Sequence, residues 1–273
     1  MIKLGTRAGV VLVLASRLAA AQADTTSPKT FFTGRDAAVA GVFLAASAGI
    51  SLFDDKIARN FRDTTYLHVR IGDRLDDVFT HINETTLTVG GLAVYAIGRL
   101  TRQRTVADVA FHVAESVAAA SLSAQVIRGP LGRTRPRDTS PPYEDQYEFH
   151  FMKGFSRFQQ RSFPSIHSSS GFAAASAIVE EVNIRNPGAR WWLGVPMYML
   201  AATPGLSRMY LGQHWASDIF AGAFLGDFYG RRVVRYSHHH PTTRVDRIFL
   251  GTMKSPQVNF GPGGAQLSWS FQF

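Results

Sequence analysis

The chain has no cysteine among its 273 residues. That excludes disulfides, iron–sulfur clusters and thiol nucleophiles. Acidic residues are few: 20 Asp and Glu face 29 Lys and Arg, for a net charge of +9. No basic run is interleaved with exposed aromatics, which argues against a nucleic-acid partner. Long clean apolar runs are scarce as well. Ala37 to Phe53 and Trp191 to Ser207 sit at the short limit of a membrane span. Elsewhere Glu115, the pair Glu180–Glu181, Asp218 and Asp227 interrupt the apolar stretches. With 45% hydrophobic residues and a mean hydropathy of -0.02, the expectation is a soluble or peripheral protein. An integral inner-membrane protein is the alternative. The 24 Gly and 12 Pro form no long linker, and there is no internal repeat.

The N-terminus reads as an export signal. Lys3 and Arg7 precede the apolar stretch Ala8 to Ser16, and Ala21-Gln22-Ala23 makes a small-residue cleavage site. Residues 1–23 are expected to be removed, with 24–240 as the working domain, in the periplasm or cell envelope. Loss of Lys3, Arg7 and Arg17 lowers the net charge from +9 to +6. The remaining basic character suits anionic lipids or phosphorylated substrates.

Apolar residues recur at three and four positions, which predicts an all-α protein. Expected helices cover roughly 35–53, 65–83, 87–101, 105–128, 168–184, 189–203 and 213–235. The tail, 241–273, changes character. Leu267, Trp269, Phe271 and Phe273 alternate with polar residues, and Gly261-Pro262-Gly263-Gly264 can turn them back as a short β-hairpin. Residues 137–162 lack periodicity and carry six aromatics, including Phe155 and Phe158. They read either as a lid or as a loop folded back on the core. His238-His239-His240 reads as a solvated surface cluster, and His112 as a core histidine.

Three short segments hold the chemistry. They are Arg128-x6-Arg135-Pro136, Pro164-Ser165-Ile166-His167, and Ser207-Arg208-x5-His214-x3-Asp218. Arginine forks match the oxygens of a tetrahedral anion in shape and charge. Free N–H groups where a helix begins after Ser165 also bind anions. One histidine can be a nucleophile and another can shuttle a proton. If His214 and Asp218 share a helix, they lie one turn apart on one face, and the carboxylate fixes the ring tautomer. Arg208 is expected at the start of that helix. No metal-ligand set accompanies the segments, so neither metal nor cofactor is expected.

The three segments resemble the signature of the type 2 phosphatidic acid phosphatase (PAP2) and vanadium haloperoxidase superfamily. That signature reads Lys-x6-Arg-Pro, Pro-Ser-Gly-His and Ser-Arg-x5-His-x3-Asp. Here Arg128 stands in place of the lysine and Ile166 in place of the glycine. The resemblance implies a helical bundle of about six or seven helices and a metal-independent phosphatase acting on lipid phosphates or small phosphate esters. It assigns phosphate binding to Arg128, Arg135, Arg208, Ser165 and the Ile166 amide. It makes His214 the nucleophile of a phosphohistidine intermediate, Asp218 its orienting group, and His167 the acid and then the base. Vanadate is expected to bind as a transition-state mimic. A membrane surface is a possible partner. A vanadate-dependent haloperoxidase and a non-catalytic envelope protein of the same fold are the alternatives. Ile166 keeps the amide donor but adds bulk and disfavours positive φ, which predicts a narrower pocket.

Overall fold

The computed structural model describes residues 30–63, 81–240, 244–250, 257–261 and 264–268. The expected export signal and most of the expected helix 65–83 lie outside these residues. The described body is helical, as the periodicity predicts. Its helices are α1 (Gly34–Ser51), α2 (Asp54–Asp63), α3 (Glu84–Leu100), α4 (Arg104–Leu131), α5 (Ile166–Arg185), α6 (Arg190–Tyr210), α7 (Ala216–His239) and the short α8 (Arg244–Phe249). The segments Gln257–Gly261 and Gly264–Ser268 lie antiparallel, but the expected packing of a hairpin on the helices falls outside the described side chains.

Side-chain caps explain several helix starts. Thr33 and Asp36 form a reciprocal capping box at α1. Asn83 accepts from the Thr85 and Thr86 amides at 3.0 Å at α3. Ser165 accepts from the Ser168 amide at α5. Each satisfies N–H groups that a first turn leaves without partners.

Two boundaries differ from expectation. α6 does not stop near 203 but runs through Pro204 to Tyr210. Proline removes the amide that would bond the Leu200 carbonyl, and the Thr203 hydroxyl takes that carbonyl instead at 2.6 Å. Arg208 therefore ends α6 and does not begin the next helix. α7 starts at Ala216, not 213, so His214 lies before the helix.

The core is built from small residues. Val113, Val117, Ala120, Ala173, Ala174, Ala177 and Val234 form one buried cluster where α4, α5 and α7 meet. The tightest seam is between α5 and α7. Gly222, Gly226 and Gly230 face α5, where an added Cβ would lie 2.3 Å from the Ser165 carbonyl, 2.3 Å from the Ser169 carbonyl and 2.6 Å from Ser176 Cβ. Beside the seam, Asp227 of α7 accepts from Ser176 of α5 and Tyr198 of α6 at 2.7 Å and from Arg231 at 2.9 Å. Among the described residues, one helix, α4, is long and apolar enough to cross a membrane, with 56% of its most apolar window buried in the bundle. The bent pair α1–α2 would count as a second.

The seam makes a prediction. Gly226→Ala forces the two helices apart and is expected to cost about 2–4 kcal/mol of stability. Gly41→Ala, on an open stretch of α1 with nothing within 4 Å of an added Cβ, is expected to be neutral or stabilising by about 0.5–1 kcal/mol. Denaturant unfolding of both variants measures the contrast, and equal effects would remove the seam's claim to close packing.

Candidate active site

All three motif segments converge at one end of the bundle. Arg128 is buried in the last turn of α4, where a cation is favoured by the helix dipole. Gly132, at φ +61, terminates that helix and lets the chain turn back towards the pocket. Arg208 ends α6 in the same way. Ser165 caps α5, and Ile166 and His167 form its first turn, the end of a helix that favours an anion. The carbonyl of Asp218 accepts from the Ser165 amide at 3.0 Å, so the starts of α5 and α7 are tied together.

Ile166 is the first residue of α5 and is not among the positive-φ residues. The replacement of glycine therefore carries no backbone strain. Its side chain is 3% exposed, packed within the protein.

His214 is oriented differently from the expectation. Its Nδ1 donates to the Ser162 carbonyl at 2.7 Å, while Asp218 Oδ2 stands 3.7 Å away. The backbone carbonyl fixes the tautomer and leaves Nε2 with its lone pair. Asp218 supplies negative charge beside the ring. Its own Oδ2 accepts from Ser162 Oγ at 2.5 Å and from the Trp215 amide at 2.8 Å. It thus also caps the first turn of α7. Burial alone would raise the Asp218 pKa, but Arg133 beside it and the contacts from His214 and Ser162 hold it below the usual carboxylate range. Burial lowers the pKa of His214, with Asp218 opposing.

The residue that organises this arrangement was not singled out in the sequence. Arg133 is 2% exposed. Its Nη1 donates to Asp218 Oδ1 at 2.6 Å and to Ser217 Oγ at 2.8 Å. Its Nη2 donates to Asp54 Oδ2 at 2.8 Å and to the Gln146 carbonyl at 2.7 Å. The guanidinium lies 5.3 Å from the centre of the Trp215 ring. Asp54 begins α2 and also accepts from the Ser217 amide at 2.9 Å. Sequence offered one hint, the density of arginines in Arg128–Arg137. Nothing in it connects Asp54 to the site.

The motif arginines are held less symmetrically. Arg135 bonds Gln213 and stacks on Phe158 at 3.8 Å. Burial, with Arg128 nearby, pushes its pKa down to about 9, so it stays charged at neutral pH. Arg208 Nη2 donates to His167 Nε2 at 3.1 Å. Burial and the charges of Arg208, His214, Arg128 and Arg135 push His167 down to about 3. Arg128, Arg135, Arg208, His167 and His214 thus lie within electrostatic reach of one another. In the 137–162 segment two aromatics fold back onto the protein. Phe155 covers Gly129 and Phe158 covers Arg135, yet both rings remain more than half exposed at the rim.

Arg133→Met is expected to leave two buried carboxylates without their counter-charge and to cost about 3–5 kcal/mol. Asp54→Asn in the same background should recover part of that loss. Stability measured across the four proteins of this double-mutant cycle checks the coupling. Strict additivity would break the proposed Asp54–Arg133 link.

Residues 109–240 match the model of the PAP2 superfamily. Over 69 residues the chain is 38% identical to the lipid A 1-phosphatase of Porphyromonas gingivalis, covering 25% of this chain and 15% of that protein. Over 104 residues it is 30% identical to the lipid A 4'-phosphatase of Bacteroides thetaiotaomicron, covering 38% of this chain and 42% of that protein. The chain thus spans less than half the length of either relative. The crystal structure of a transmembrane PAP2 type phosphatidylglycerolphosphate phosphatase from Bacillus subtilis superposes with a TM-score of 0.48 at 21% identity, over 74% of this chain and 94% of that one. With all three motif segments inside the matched stretch and their side chains gathered at one pocket, residues 109–240 of this chain belong to the PAP2 superfamily.

Proposed function

We propose that this protein hydrolyses a phosphate monoester on a lipid in the cell envelope, through a phosphohistidine and without a metal in the reaction. The observation that carries the reading is the state of His214. Its Nδ1–H is engaged by the Ser162 carbonyl, and its Nε2 is left as a buried lone pair beside a set of arginines.

In the first step, His214 Nε2 attacks phosphorus as the bond to the lipid oxygen breaks. Arg128, Arg135, Arg208 and the amides at the start of α5 hold the equatorial oxygens and stabilise the charge that builds on them. The departing alkoxide takes a proton from His167. In the second step, His167 removes a proton from water, the oxygen attacks phosphorus, and the P–N bond breaks to release inorganic phosphate. Arg133 and Asp54 touch no reacting atom in this scheme. They position Asp218, and Asp218 supports the positive charge that His214 gains as the phosphoramidate.

Substrate class rests on two further supports. The relatives named above act on lipid A, a phosphorylated lipid. A cleft of about 550 Å³ runs between α3, α4, α5 and α6, lined by apolar residues including Leu87, Val94, Val113, Ile178 and Leu200. An acyl chain fits such lining, and a soluble sugar phosphate does not. Trp191 and Trp192, 73% and 86% exposed, suit a lipid–water boundary.

His214→Ala is expected to abolish phosphate release from lipid phosphates, a loss of several orders of magnitude. EDTA should leave turnover intact, and vanadate should inhibit. An assay over lipid A, phosphatidic acid, phosphatidylglycerolphosphate and p-nitrophenyl phosphate identifies the substrate class. Equal kcat/KM on the soluble ester would overturn the lipid reading, and activity surviving in His214→Ala would overturn the mechanism.

The state of His167 gives a pH prediction. In the free protein its pKa is about 3, against about 6.5 in an unfolded chain. The unfolded state therefore binds a proton below pH 6.5 that the folded state refuses. This contribution to stability is present above that pH and is lost as pH falls towards 3. A bound dianion cancels the cationic field, raises the His167 pKa and loads it with the proton it later donates. Calorimetry of vanadate binding in buffers of different ionisation enthalpy should show proton uptake near pH 6 that is missing in His167→Ala. Identical proton uptake in the two proteins would count against His167 as the acid.

A further inference from the structure

Far from the pocket, His112, Glu181 and His238 meet across α4, α5 and α7. They come from three helices and lie 69 and 57 residues apart in sequence. The sequence alone left His112 as a core histidine and His238 as part of a surface cluster. In the fold, Glu181 joins them. His112 Nδ1 contacts Glu181 Oε1, and His238 Nε2 lies 3.1 Å from Glu181 Oε2. The two imidazoles stand edge to face with centroids 5.8 Å apart. Glu181 is fully buried, His112 is 3% exposed, and the His238 side chain is 31% exposed at the mouth of the cluster.

We propose that His112, Glu181 and His238 bind one divalent transition-metal ion of the zinc class, which ties α4, α5 and α7 together at the end of the core opposite the pocket. One ligand atom from each residue lies within 4.8 Å of the others. A tetrahedron with metal–ligand bonds of about 2.0–2.1 Å separates its ligands by about 3.3 Å, close to the 3.1 Å already present. Two imidazoles and one carboxylate are a common zinc donor set, with water in the fourth place. Both histidines bind as neutral rings, each keeping its proton on the nitrogen that faces away from Glu181. A fully buried carboxylate needs a counter-charge. Arg185 supplies one at present, bonded to Glu181 Oε2 while its other nitrogen lies 3.9 Å from Asp108. Its side chain is 31% exposed. On metal binding it can turn to Asp108 and free the carboxylate oxygen.

The site does not take part in the chemistry proposed above, and its test is independent of it. From His112 to Arg128, from His167 to Glu181, and from Asp218 to His238, the helices run about 20–30 Å at 1.5 Å per residue. The ion acts on the packing of the three core helices.

The test uses the full-length protein, stripped with a chelator and then titrated with Co²⁺ and Zn²⁺. The expected result is one equivalent of Co²⁺ with a tetrahedral d–d absorption band, displaced by Zn²⁺. Zinc at a hundredfold excess over Kd should raise Tm by about 5–10 °C, and turnover well below Tm should change less than twofold. His238→Gln, at a partly exposed position that tolerates the change, should lose both the band and the Tm shift. The double variant His239→Gln/His240→Gln should keep both. No saturable binding at one equivalent, or binding that survives His238→Gln, would overturn the proposal. Loss in the double variant would move the metal to the surface histidines and equally overturn it. Turnover that vanishes on stripping and returns with zinc would refute the structural role assigned to the ion.

Discussion

One buried guanidinium sets the geometry of the pocket. Arg133 lies between Asp218 and Asp54, and its remaining N–H groups go to Ser217 and the Gln146 carbonyl. Three carboxylate or hydroxyl partners from α2 and α7 therefore depend on a residue in the turn after α4. A charge this deep is favourable only while every partner is present. That condition links the entrances of two helices and a loop into one all-or-none assembly. Burial raises the pKa of Asp54, with Arg133 opposing it, so the pair is poised against its own desolvation. Asp218 holds its charge because Arg133 and the hydroxyl of Ser162 reach it together.

Arg128, Arg208 and the first turn of α5 share a second rule: each sits at a helix end of the favourable sign. Arg128 and Arg208 occupy the carboxyl-terminal turns of α4 and α6. The amide-bearing residues Ser165 to His167 open α5. Cations stand where the dipole is negative, and the anion site lies where it is positive. The pocket thus draws on backbone dipoles as well as side chains.

Much of this was legible in the linear order of residues. Arg128, Arg135, Ser165, His167, Arg208, His214 and Asp218 stand at fixed short spacings, and short spacings are what a sequence displays directly. Helix periodicity located the bundle because apolar faces repeat locally. Arg133 was hidden although it lies between two motif arginines. Which arginine turns inward depends on the turn at Gly132, and its partner Asp54 is 79 positions away. Ser162 was hidden for another reason: its carbonyl, not its side chain, holds His214. Backbone acceptors carry no residue-type signal. His214 and Asp218 still lie 3.7 Å apart, but they do not share a helix, because Asp218 caps α7 at Trp215 and a capped start places His214 outside it.

The glycine ladder of α7 has a mechanical meaning. Gly222, Gly226 and Gly230 bring backbone against backbone along three turns, and no side chain there can change rotamer to absorb a displacement. α5 and α7 are therefore keyed like teeth and translate as one body. The first turn of α5 and His214, just ahead of α7, are thereby held at a fixed spacing by the seam. Any breathing that admits a bulky substrate is diverted to the opposite wall, where α3 and α6 border the apolar cleft and pack through deformable side chains such as Leu87 and Leu200.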